Sequence, residues 1–278
     1  MFDIDTMVDD HATAVQTRTA APVMEPKFFC TVTPFYQPIV SADGFGVIGY
    51  EALARGPLDS PLHSARTLFA TANGLGEMAA LERVCWTTAL LNATRLGLWR
   101  RPDTLLFLNL SAERIREPEF LEFAKRVVAE TGVPVHRLVL EVTEESRMRS
   151  DPGFLRALMR YRDMGFQIAL DDVGTGYSDL RVLAEVRPDF LKIALELVRG
   201  VHAHTGRRQV VHSLVMLGHA MGSTVIVEGV ETSEELAAVR ALGADCVQGH
   251  LMAKPGAGLP AVVLPDTLAV APRLCRAA

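Results

Sequence analysis

Along most of the chain, short apolar runs rich in β-branched and aromatic residues alternate with longer segments whose apolar residues recur at helical spacing. The runs at 30–40, 46–53, 104–110, 137–143, 166–171, 189–193, 224–228 and 245–248 predict strands. The segments at 64–74, 77–96, 118–131, 152–165, 177–185, 207–221 and 233–242 predict amphipathic helices. Gly132, Gly165, Gly222 and Gly243 stand where those helices should end, and Thr232 or Ser233 can cap the segment led by Glu234 and Glu235. The first two runs flank Ser41-Ala42-Asp43-Gly44, a turn-forming cluster that predicts a hairpin. Beyond it, strand and helix alternate, which means parallel pairing with right-handed crossovers. About seven such units, with no Gly-rich dinucleotide turn after the first strand, favour a closed barrel over an open doubly wound sheet. The expected fold is therefore α/β: a modified TIM (β/α)8 barrel that starts on a hairpin-like pair.

The flanks are different in kind. Residues 1–26 are polar, acidic and aperiodic and are expected to be a flexible tail. The barrel is expected over 27–256. The Gly/Pro-punctuated stretch 257–278 is expected to be a C-terminal segment, either wrapping the barrel or loose. Apolar content of 49% against 22% charged excludes disorder for most of the chain. Thirty-three acids against 28 bases leave no surplus for a basic face, which argues against holding polymeric nucleic acid by phosphate neutralisation. The most apolar stretch, 210–227, is interrupted by His212, Ser213, Gly218, His219, Gly222 and Ser223, so it cannot span a membrane, and the acidic start lacks a signal peptide's pattern. Cys30, Cys85, Cys246 and Cys275 show no CxxC or zinc spacing and are expected to be reduced thiols of a cytoplasmic protein.

Chemistry enters at one recurring place, the C-terminal ends of the strands. Glu51, Asn109, Glu141 with Glu144 beyond it, Asp171-Asp172, Lys192, Glu228 with Glu231, and Gln248 all fall there. In a parallel barrel those ends share one rim, where barrel enzymes keep their active sites. One such residue could simply be a solvated exit from its strand. A succession of them is costly at half-buried positions unless the groups are paired or liganded. Oxygen donors without His or Cys favour hard ions, Mg²⁺ or Mn²⁺, over zinc. The adjacent aspartates suit two ions, the usual device for in-line displacement at phosphorus, and Lys192 and Arg55 offer donors to phosphate oxygens. The glycine-rich stretch at 173–178 reads either as a mobile lid or as a plain turn. Seven rim acids beside Lys192 and Arg55 leave a surplus of five, which equals the whole chain's formal −5.

At these residues the chain resembles the EAL-domain cyclic-di-GMP phosphodiesterases. The matching motifs are YQPIV at 36–40, YEALAR at 50–55, LNLS at 108–111, LEVTEE at 140–145, DDVGTGYSDL at 171–180, LKI at 191–193, VEGVET at 227–232 and QGHLMAKP at 248–255. The resemblance implies hydrolysis of cyclic di-GMP to linear pGpG by a water activated between two metal ions. It implies that Glu51, Asn109, Glu141 and Asp171 hold one ion, and Asp171, Asp172 and Glu228 the other. Lys192 would orient the attacking water or bind phosphate, and Glu228 and Glu231 would complete the catalytic set. Gln248 would hydrogen-bond metal-bound water beside the substrate, and Arg55 and Leu53 would contact substrate. Gln37 would contact it or support the site, and Glu144 would anchor the glycine-rich loop. A homodimer, with room for a regulatory protein partner, is implied as well.

Two residues depart from the family's pattern. Val173 replaces a phenylalanine after the aspartate pair, and Ala194 replaces an aspartate after LKI. A carboxylate at 194 would lie on the same strand face as Lys192, so its loss bears on turnover more than on binding. The alternative function is accordingly a weak or inactive domain that binds cyclic di-GMP as a receptor. His202, His204, His212 and His219 read as a solvated connection and helix face, Met216 and Met221 as core, and Trp86 and Trp99 as packing residues. His250 could face the site.

Overall fold

The computed structural model describes residues 32–143, 152–175 and 180–262. The tail expected over 1–26, Glu144 and the second half of the glycine-rich stretch lie outside them. Eight strands close into one barrel in sequence order. They are β1 (Thr33–Ser41), β2 (Val47–Arg55), β3 (Leu105–Asn109), β4 (Leu138–Thr143), β5 (Gln167–Val173), β6 (Phe190–Ile193), β7 (Thr224–Val227) and β8 (Cys246–Val247). The helices are α1 (Ala65–Leu75), α2 (Met78–Arg95), α3 (Ala112–Arg116), α4 (Pro118–Thr131), α5 (Pro152–Asp163), α6 (Leu180–Val186), α7 (Leu195–Val198), α8 (Thr205–Ala220) and α9 (Ser233–Ala241).

The predicted hairpin is what distinguishes this barrel from an all-parallel one. β1 runs antiparallel to both β2 and β8, while the remaining neighbours are parallel. Its turn closes through Ser41 N–H to Gly46 O and Phe45 N–H to Ser41 O. Pairing with β1 carries β2 on to Arg55, opposite Thr33, so Glu51 sits mid-strand rather than at an end. The four glycines expected to stop helices all have left-handed φ. Thr232 caps α9 in a reciprocal box with Glu235. α3 and α7, too short to show a period, were not predicted.

The barrel's interior is apolar at one level and polar at the next. Ile39, Phe107, Val139, Ala169, Phe190, Ile226 and Cys246 form a buried plug, with Phe107 and Phe190 edge to face at 5.2 Å. Gly49 leaves β2's share of that level open because Phe107 fills it: a Cβ there would lie 2.8 Å from the ring. Outside the barrel, a larger layer of side chains joins strands to helices. Met216 corrects an expectation, being 54% exposed. α8 buries Val211, Val215 and Gly218, and Met216 follows Val215 by one residue, about 100° round the helix. His204 caps α8 by accepting from Arg207 N–H, so that helix starts earlier than predicted. Cys85 and Cys246 are free thiols. Tyr36 pairs with Gly256 through both backbone hydrogen bonds, and Tyr50 donates to Pro260 O. No helix among the described residues is long and apolar enough to cross a membrane.

Candidate active site

Two residues along each strand from the apolar plug stands a polar one, because side chains on one strand face recur with a period of two. Gln37, Glu51, Asn109, Glu141, Asp171, Lys192, Glu228 and Gln248 follow Ile39, Gly49, Phe107, Val139, Ala169, Phe190, Ile226 and Cys246 in this way. On the reversed strand β1 the step runs backwards, which is why Gln37 precedes Ile39 yet lies opposite Glu51. The site is thus a ring with one residue from each strand or, for Glu228 and Gln248, from the position just past it.

Lys192 is the hub. It is 0% exposed, and its Nζ lies 2.6 Å from Glu141, 2.6 Å from Glu228, 3.1 Å from Asp171 and 3.5 Å from Glu51. Burial alone would drive a lysine to lose its proton, but Asp171, Glu141, Glu228 and Glu51 outweigh it and hold the ammonium well above its ordinary range. One cation cannot satisfy four carboxylates. Burial, then the charge of Glu51, drives the Glu141 carboxyl well up. Burial likewise pushes Glu228 up to about 8, with Asp171 and Glu51 adding to it against Lys192. Glu51 goes the other way: burial opposes ionisation, but Lys192 and the amides of Gln248 and Asn109 hold it low. Those amides reach it at 2.7 and 3.2 Å, and Asn109 also reaches Glu141 at 3.1 Å.

The aspartate pair solves a geometric problem. On a regular strand, Asp171 and Asp172 would point to opposite faces. Between Leu170 and Val173 the β5–β6 register slips by one residue, and Asp172 adopts φ +57°. This bulge turns both carboxylates to one side, so that oxygens of Asp171, Asp172 and Glu228 lie within 4.8 Å of one another. Burial and then Asp171 raise the Asp172 carboxyl. The donor set fits a hard divalent cation: it is all oxygen, and among the described residues the buried Glu141 Oε1 and Asp171 Oδ1 have no hydrogen-bond partner beyond their ion pair to Lys192.

The remaining predicted residues divide. Gln37 donates to Ala253 O at 3.1 Å and accepts from Gln248 at 3.3 Å, a bracing position beside Glu51. Arg55 lies over the Phe35 ring at 5.5 Å, and its Nη1 donates to Ala54 O. Leu53 lines a cavity of about 380 Å³ that also touches Glu51, Asn109, Glu141, Phe69 and Trp86. Glu231 is exposed, its carboxylate 3.8 Å from Arg199, and it does not join the Lys192 cluster. His250 is exposed. Ala194 is fully buried and stands at the N-cap of α7, its N–H on Val173 O. Sequence reasoning missed two supports on α2. Trp86 Nε1 donates to Asn109 O at 3.0 Å, and Glu82 accepts from Ser111 N–H at 3.1 Å. Their spacing of four residues was the available signal, and it looks like any helix face.

Comparison with known proteins agrees with this geometry. A family model described as EAL domain matches residues 30–255. An uncharacterized protein of Azorhizobium caulinodans is 33% identical over 84% of this chain, which spans 32% of that protein's length. The cyclic di-GMP phosphodiesterase RocR of Pseudomonas aeruginosa is 29% identical over 80% of the chain and 56% of its own length. Among solved structures, Klebsiella pneumoniae BlrP1 in its calcium and cyclic-di-GMP complex has a TM-score of 0.77 at 28% identity, covering 86% of this chain and 60% of that one. The same protein was also solved with manganese and cyclic di-GMP.

Proposed function

Since the chain belongs to the EAL domain family, we propose that it is a divalent-metal-dependent phosphodiesterase that hydrolyses cyclic di-GMP to linear pGpG. The observation that carries this reading is the convergence on Lys192 of Glu51, Glu141 and Asp171 from three strands and of Glu228 from just past a fourth, with Asp172 turned in beside them by the bulge. Glu51, Asn109, Glu141 and Asp171 would hold one ion, and Asp171, Asp172 and Glu228 the other. Mg²⁺ or Mn²⁺ bound there supplies Lewis acidity and a water acidified enough to attack phosphorus. Lys192 Nζ, fixed from four sides, is the donor placed to hold the attacking water or a non-bridging phosphate oxygen. Gln248 and Gln37 keep Glu51 from rotating. Arg55 offers its guanidinium to the substrate's phosphate, and the cavity beside Leu53 and Trp86 has the size and apolar lining to take a nucleobase.

Ala194 favours a second reading, a receptor that binds cyclic di-GMP and cuts it slowly or not at all. Incubation of the purified chain with cyclic di-GMP and Mn²⁺, with products resolved by chromatography, separates the two. Accumulation of pGpG is expected. Tight binding without pGpG, unrescued by excess metal or raised pH, overturns the enzyme reading in favour of the receptor.

A further inference from the structure

The segment that carries Glu228 is held by its neighbours almost residue by residue. Glu228 N–H donates to Ile193 O at 3.1 Å, Val230 N–H to Gln248 O at 3.0 Å, and Val230 O accepts from Leu251 N–H at 3.1 Å. Next, Glu231 N–H and Thr232 N–H both donate to Oε2 of Glu235, at 2.9 and 3.2 Å. The other oxygen of the same carboxylate accepts from Gly200 N–H at 2.8 Å, in the turn that closes α7. Glu235 is 4% exposed.

A capping box needs a single acceptor at this position, and glutamine serves as well as glutamate. Glu235 uses both of its oxygens, one for each loop. Burial opposes its ionisation, yet the amides of Gly200, Glu231 and Thr232 outweigh burial and hold the carboxyl low. The helix latched in this way, α7, is wedged between the two loops of the proposed second cation site. Leu197 covers Gly174, two residues after Asp172, so closely that a Cβ there would come within 2.3 Å of it. Leu195 covers Gly229, next to Glu228, with a corresponding 2.4 Å.

We infer that Glu235 is a positioning residue for the cation site of Asp171, Asp172 and Glu228: its two oxygens tie the end of α7 to the Glu228 loop and so fix the spacing of the three ligands. The inference rests on reading those carboxylates as cation ligands.

The test is Mn²⁺ titration of the full chain and of Glu235→Ala, Glu235→Gln and Thr232→Ala, with thermal unfolding in parallel. Thr232→Ala removes the cap hydroxyl of α9 and leaves both loop contacts of Glu235. It is expected to lower Tm and leave Mn²⁺ affinity unchanged. Glu235→Gln keeps one oxygen acceptor and releases one loop, and is expected to weaken Mn²⁺ about tenfold. Glu235→Ala releases both loops and is expected to weaken it about 10–100-fold. Where substrate is turned over, kcat falls more than KM changes. Should the alanine variant not fold, the glutamine variant decides. Glu235 variants that lose Tm like Thr232→Ala but bind Mn²⁺ as tightly as the parent overturn the inference, as does a parent chain that takes up no Mn²⁺. A parent that binds Mn²⁺ and makes no pGpG overturns the phosphodiesterase reading alone, because the affinities still decide the role of Glu235.

Discussion

The two halves of the ring handle the same problem differently. On the β2–β4 side, Glu51 and Glu141 share the amide of Asn109 and Glu51 also has Gln248, so Lys192 and neutral donors hold Glu51 low while burial and the charge of Glu51 drive Glu141 up. On the β5–β7 side, Asp171, Asp172 and Glu228 crowd together with Lys192 as their nearby cation. Asp172 reaches solvent there, and both Asp172 and Glu228 are pushed toward their neutral forms. One half is preset, its one low carboxylate fixed by two amides beside the cavity. The other gathers three carboxylates within 4.8 Å of one another, a like-charge stress that a divalent cation would relieve. Lys192 belongs to both, which makes it the first place to test the comparison.

Lys192→Met removes the one charge common to the halves and leaves buried carboxylates unpaired. Breaking a buried pair costs roughly 3–5 kcal/mol, and pGpG formation should fall by about 10²–10⁴-fold or more. Urea unfolding with and without Mn²⁺ checks the division of labour. Added metal should restore stability to the variant by more than it stabilises the parent, since cations then take over the neutralisation. Equal stabilisation of both would mean that Lys192 and the cations do not share a role.

Asp172 tests the stressed half alone. Its φ of +57° is one that asparagine tolerates and alanine does not. Asp172→Asn and Asp172→Ala should both cut turnover by about 10²-fold or more as a cation ligand is lost, and both relieve repulsion. They should differ in stability, with alanine the less stable by about 1 kcal/mol. Identical unfolding midpoints would remove the bulge from the argument.

The sign of the pH dependence follows from Glu228. In the folded, metal-free chain its proton is kept to about 8, whereas the unfolded chain releases it near 4.5. The folded state therefore binds more protons across that interval, and stability falls as pH rises through it. Mn²⁺ must displace the same proton, so its affinity should rise by up to about tenfold per pH unit below pH 8 and then level off. Calorimetric titration at pH 6, 7 and 8 in buffers of different ionisation heat counts the protons released. A flat affinity would place the cation elsewhere.

These contrasts also show what a sequence can carry. The strands, the hairpin and the rim positions were legible because a period-two apolar face that turns polar at its last member has few other meanings, as in LLFLN, where Phe107 and Asn109 share a face. The bulge was not legible: Asp171-Asp172 in sequence is an alternating pair, and only the register slip against β6 makes it a convergent one. Nor did Lys192 announce that four carboxylates would meet it, since contacts across the barrel leave no local pattern. Short helices such as α7 escape periodicity altogether, and Met216 misled because neighbouring apolar residues on α8 blur which face is buried.

The smallest expected effect falls between the halves, at Ala194. The residue stands two positions beyond Lys192, is fully buried, and leaves the N-cap of α7 without a side-chain acceptor. Ala194→Asp could therefore act in two ways that different measurements separate. A carboxylate facing the site would orient Lys192 and raise kcat, by about tenfold if it supports the ligands as such partners commonly do. A carboxylate that only caps α7 would add about 1 kcal/mol of stability and leave kcat alone. Lys192 already has four acidic neighbours and its proton is firmly held, so a fifth carboxylate cannot be needed to keep it charged. Orientation is what remains, and the expected outcome is a higher kcat at unchanged KM. A rise in Tm without a change in kcat would assign position 194 to the helix, and Ala194 would then no longer favour the receptor over the enzyme.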